Sequence, residues 1–216
     1  MIDRHLPARN PRILARILLA GALAAGAFPA VTLAGDGHAD AADTGAAPGA
    51  PRGAAPTLTS TVVRSGLVNP WDVAFDAQGR MFVTERPGRI RLYSSGNVGN
   101  TLLMTFTVPN VWQVGESGLM GIALDRDFTV NQTLYVCRSR QRDTDEINQV
   151  LAYRFTGSTL AFSHWVIQDG MNASTIHNGC AVEHGPDGKL WVTMGDAADA
   201  GSAQDPDALN GKVLRV

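Results

Sequence analysis

Three passages of this chain repeat one another, and their spacing limits the fold more tightly than any other feature. "VAFDAQGRMFVTERPGRIRLY" begins at Val73, "GIALDRDFTVNQTLYVCRS" at Gly121 and "CAVEHGPDGKLWVTMGD" at Cys180. Each has a short apolar strand, a turn rich in Asp, Gly or Asn, and a second strand with an aromatic before a valine. The marker aromatics Phe82, Tyr135 and Trp191 stand 53 and 56 residues apart. A steady period of that length, built from short strands and Gly-rich turns, is the pattern of β-propeller blades. "GRIRLYSS" and "NQVLAYRFTG" supply outer strands, while "MTFTVPNV" and "HWVIQDG" read as loops and edges. Helical periodicity is nearly absent after residue 58, so the predicted class is all-β with about three blades.

The N-terminus reads differently. Arg4, Arg9, Arg12 and Arg16 lead into an uncharged stretch from Ile17 to Gly35, broken at Pro29, with small residues at Thr32 and Ala34. That is the layout of a signal peptide over residues 1–34, which implies a periplasmic or secreted protein. A membrane anchor of similar length is the competing reading, weakened by Ala/Gly richness and by Pro29. Residues 35–57, rich in Ala, Gly, Pro and Asp, cannot build a core and read as a linker. The folded domain then spans 58–216. With net charge −2 and no Lys/Arg cluster, nucleic acid is excluded as a partner. No P-loop, dinucleotide fingerprint or zinc motif is present.

Candidate chemistry centres on "TIHNGCAVEHGPDGKLWVTMGD", where His177 stands just before a strand-turn-strand unit. By itself a histidine there is better explained by a backbone carbonyl partner than by catalysis. Asp196 reads as a turn cap through its own backbone. His164 and His184 carry no assigned chemistry. Cys137 and Cys180 either pair between neighbouring blades, as an oxidising compartment allows, or remain two buried thiols. Asp143, Asp145 and Glu146 read as a solvated hairpin tip, since a calcium loop needs more oxygens and a sharp turn. Asn131 and Asn172 begin glycosylation sequons.

"GLVNPWDVAFDAQGRMFVTERPGRIRLY", "GESGLMGIALDRDF" and "IHNGCAVEHGPDGKLWVTMGDAADAGSAQDPDALNGKVLRV" together resemble the soluble PQQ-dependent aldose sugar dehydrogenases, the glucose/sorbosone dehydrogenase family of six-bladed propellers. The resemblance runs from about Ser65 to Val216. It implies oxidation of aldose sugars at the anomeric carbon with PQQ and calcium as cofactors, and His177 as general base. It also implies Glu116 near the sugar, where a solvated loop carboxylate is the alternative, and puts Gln204 and Asp205 in a loop by the active-site face. Two positions depart from the pattern. Ile176 stands where glucose-specific members carry an acid, which points to broad or unusual specificity, and Cys180 stands where glycine is frequent. The family's Arg-Asn motif contacting PQQ, its later Lys and Arg residues and its calcium-ligating carbonyls fall beyond Val216, so neither cofactor-binding nor metal-binding residues are assigned. The expectation is therefore the N-terminal portion of a propeller, inactive and aggregation-prone alone. The electron acceptor is unassigned, and a propeller binding carbohydrate or protein without chemistry is the alternative function.

Overall fold

Short apolar strands joined by Asp/Gly turns close into hairpins. In the computed structural model, which describes residues 58–216, these hairpins chain into three antiparallel meanders. The signal peptide expected at 1–34 and the linker at 35–57 lie outside the described residues. The first sheet runs β1 (Pro70–Phe75), β2 (Met81–Glu85), β3 (Arg89–Tyr93), β4 (Leu102–Thr107). The second runs β5 (Leu119–Leu124), β6 (Thr133–Gln141), β7 (Glu146–Phe155), β8 (Leu160–Asn172). The third has β9 (Gly179–His184), β10 (Leu190–Met194) and β11 (Val213–Arg215). Among the described residues the one helix is a single turn, α1 (Phe128–Asn131), in the β5–β6 connection.

Strand order follows chain order in every sheet, and the first strands β1, β5 and β9 are neighbours in space. Sheets succeeding one another by their first strands are propeller blades, as the repeat predicts. Phe82, Tyr135 and Trp191 fall on β2, β6 and β10, the second strand of each blade. The segments read as loops and edges divide accordingly: 104–107 and 164–170 belong to β4 and β8, the outermost strands of their sheets, paired with β3 and β7, and 108–111 follow β4 as loop. Register shifts along β8 break the period-2 alternation that would have marked it.

Two apolar layers hold the blades together. Between the first and second sheets lie Phe82, Ile90, Leu92, Leu134, Val136, Leu151 and Phe155, with Phe82 meeting Phe128 and Phe155 edge to face at 5.7 and 5.8 Å. Between the second and third lie Met120, Val150, Ile167, Met171, Val182, Val192 and Met194. Strand β6 shows why its pattern is not simple alternation. Leu134 and Val136 face one layer, Tyr135 and Cys137 the other, so both faces are covered. Gly121 is required on β5, because a Cβ there would sit 2.6 Å from the Cys180 carbonyl oxygen. Cys137 and Cys180 are joined as a disulfide across that seam, with Cα atoms 6.3 Å apart. At the acidic tip between β6 and β7, Arg142 pairs with Asp145 and with Asp169 on β8.

Candidate functional site

The chain leaves β8 and reaches β9 through residues 173–178, and the site is built on that connection. His177 adopts φ 56°, a left-handed conformation that costs a non-glycine residue roughly 1–3 kcal/mol unless its surroundings impose it. Those surroundings are specific. The His177 N–H donates to Glu116 Oε2 at 2.7 Å, and the Glu116 N–H donates to the Thr175 carbonyl at 2.7 Å. The Ala197 N–H donates to the His177 carbonyl at 3.0 Å, and the Gly195 N–H to that of Asn178 at 3.2 Å. Loop 115–117, entering β5, and loop 195–198, leaving β10, thus grip the histidine from both sides.

The imidazole has one fixed nitrogen. Nδ1 lies 2.9 Å from Asp196 Oδ1, while the side chain is 57% exposed. With Nδ1–H donated to the carboxylate, the lone pair sits on Nε2. Asp196 Oδ1 also accepts the Ala198 N–H at 3.0 Å, so the turn cap foreseen for it is present, and the histidine contact is added to it. Glu116 is exposed, and one of its oxygens is used by the His177 backbone. Gln204 and Asp205 lie in the loop between Asp196 and Asn210, and their backbone N–H groups make turn bonds to Gly201 and Ser202. His177, Glu116 and Asp196 are therefore brought together, whereas Gln204 and Asp205 bond locally within their own loop.

Beneath the histidine runs a buried amide network that sequence reasoning missed. Ser139 Oγ donates to Asn148 Oδ1 at 2.7 Å, and Asn148 Nδ2 donates to the Asn172 carbonyl at 2.9 Å and to Asn178 Oδ1 at 3.2 Å. Asn178 also accepts the Ser174 N–H at 2.9 Å and donates back to the Ser174 carbonyl at 2.6 Å. Asn210 donates to the carbonyls of Asn172 and Gly195. Ser139, Asn148 and Asn178 are fully buried, and such groups are retained only when satisfied. The available signal was the run of polar residues in otherwise apolar strands, with Ser139 directly opposite Asn148. Arg86 completes the support, donating to the carbonyls of Gly115 and Ser117 on the Glu116 loop.

The described residues fit a base, and they do not fit a cofactor anchor. PQQ is a tricarboxylate and calls for cations, but the charged side chains touching His177 are both acidic. Arg86, in the β2–β3 turn, and Lys212, just before β11, are committed to backbone carbonyls. Among the described residues no cluster of three or more histidines, cysteines or carboxylates is placed to hold a metal ion.

Successive blades, with a carboxylate-backed histidine on the connection between the second and third, define an all-β propeller with a candidate site at that connection. The chain belongs to the glucose/sorbosone dehydrogenase family, whose sequence profile matches residues 67–216. It is 28% identical to the aldose sugar dehydrogenase YliI of Escherichia coli K12 over 166 residues, covering 74% of this chain and 44% of that protein. A Thermus thermophilus protein assigned as an oxidoreductase (glucose dehydrogenase) superposes with TM-score 0.65 at 38% identity, over 71% of this chain and 46% of that one. The PQQ-bound aldose sugar dehydrogenase of Streptomyces coelicolor superposes with TM-score 0.60 at 28% identity, over 72% and 46%. The chain thus spans less than half the length of these relatives.

Proposed function

We propose that the protein of which these residues form the described part oxidises an aldose sugar at its anomeric carbon, with PQQ and calcium as cofactors and His177 as general base. The observation carrying this reading is the 2.9 Å contact of His177 Nδ1 with Asp196 Oδ1 on an otherwise exposed ring. With Nδ1 so engaged, Nε2 is the nitrogen left to accept a proton from a sugar hydroxyl.

Oxidation of a hemiacetal to a lactone removes the hydroxyl proton and, from the anomeric carbon, a hydride that carries the two electrons. PQQ, when bound, supplies the acceptor for the electrons. The proton falls to His177 Nε2, and Asp196 stabilises the imidazolium that forms, holding the ring and its tautomer in place. Glu116 fixes the His177 backbone and presents a carboxylate that accepts hydrogen bonds from sugar hydroxyls, and Gln204 is assigned to the same sugar-facing rim. None of the described residues is assigned to PQQ or calcium. The leader-like N-terminus supports export to the periplasm or beyond. Support for PQQ as the cofactor comes from the PQQ-bound relative.

Dye-linked oxidation of a panel of aldoses by the intact protein, after addition of PQQ and calcium, tests the reading. His177→Ala is expected to lower kcat by roughly 100- to 10,000-fold with the fold intact, the range of a general base. Unchanged turnover would remove His177 from the reaction, and failure of every aldose would leave a binding propeller as the better account.

A further inference from the structure

Strand β6 carries Arg138 and Arg140 on the face that Leu134 and Val136 turn toward the first sheet. Arg138 is 2% exposed. A guanidinium at such depth requires compensation, because desolvating an unpaired charge costs several kcal/mol. Its partners here are neutral. Nε and Nη2 donate to Gln149 Oε1 at 3.3 and 3.0 Å, Nη1 donates to the Pro109 carbonyl, and Cζ lies 5.5 Å from the centre of the Trp165 ring. The ion pairs among the described residues use Arg80, Arg89, Arg91, Arg142, Arg215 and His177, leaving Arg138 and Arg140 without a carboxylate. Burial, with Arg140 adding repulsion, holds Arg138 below the ordinary arginine pKa.

Both guanidinium side chains line a cavity of about 250 Å³ whose remaining walls include Phe106, Tyr153, Phe162 and Trp165. The four rings form a chain of contacts, Phe106–Tyr153 at 5.4 Å, Tyr153–Phe162 at 5.9 Å and Phe162–Trp165 at 5.0 Å. We propose that this cavity, at the seam of the first and second sheets, binds a small carboxylate bearing an aromatic or branched apolar body. The carboxylate supplies the missing counter-charge through charge-assisted bonds to the guanidinium groups, and the apolar body takes the aromatic walls. The volume restricts the body to about one ring. A neutral sugar would leave Arg138 uncompensated. None of these walls belongs to the constellation of His177, Glu116 and Asp196.

Calorimetric titration of the intact protein with phenylacetate tests the site, with phenylacetamide, acetate and glucose as comparison probes. Saturable phenylacetate binding is expected, with phenylacetamide and acetate each weaker by about tenfold or more. Arg140→Gln, on a half-exposed side chain, is expected to weaken phenylacetate by about tenfold without moving Tm, and Arg138→Met to abolish binding. The Arg140 variant decides the matter if the Arg138 variant fails to fold. No phenylacetate binding at millimolar concentration, equal binding of phenylacetamide, preference for glucose, or indifference to Arg140→Gln would each overturn the proposal.

Discussion

At His177, a single side chain depends on a backbone that four hydrogen bonds hold in place. Gly195 is the most constrained of its neighbours, because a Cβ there would lie 2.0 Å from the His177 carbonyl oxygen. Gly195→Ala must therefore push the histidine away from Asp196. We predict a fall in kcat of about 100-fold, as displacements near 1 Å produce, together with a lower Tm. Thermal melting and dye-linked turnover measured on one preparation would check this, and full activity with an unchanged melt would refute the close packing. His177 was legible because a recognisable motif surrounds it. Asp196 was only half legible. Its bond to Ala198 spans two residues and shows in local sequence, but its contact with His177 spans 19 residues and two strands. Asn148 and Ser139 carried no motif at all, and their meaning comes entirely from where β6 and β7 place them.

Among the elements, β2 shows how propeller strands escape alternation. All five of its residues, Met81 to Glu85, are buried, since neighbouring structure covers both faces. Glu85 is the costly member. Burial works against its charge, but bonds from Arg89 Nε at 2.6 Å, the Val68 N–H at 2.6 Å and Arg91 Nε at 2.7 Å outweigh it, and its pKa falls below the ordinary 4.5. A carboxyl depressed on folding stabilises the protein above the unfolded pKa, and that contribution is lost as pH falls through the folded value. Glu85→Gln should then cost about 2–3 kcal/mol at neutral pH, with the difference from wild type shrinking below about pH 4. Denaturant melts across pH 3–7 would show it, and a gap that stays constant with pH would contradict the assignment. The strands themselves were readable wherever an Asp/Gly turn followed an apolar run. Strand β8 was not, because its bulges erase the period.

For the whole molecule, the repeat period was the most informative signal, and it became a succession of blades joined by continuous apolar layers. Blade order follows chain order, so a pattern one blade long is enough to predict it. What links the blades was less visible. The Cys137–Cys180 disulfide, the close approach at Gly121 and the Asn178 network all join residues far apart in the chain. The central claim is that this succession delivers the His177 imidazole, backed by Asp196 and seated on Glu116, to the mouth where a sugar is oxidised. A crystal structure of the intact protein with PQQ, calcium and an aldose would test it most directly. The account predicts the anomeric oxygen within about 3.2 Å of His177 Nε2, with Nδ1 still on Asp196. An anomeric carbon held against a different base, or an imidazole turned away from the sugar, would contradict it.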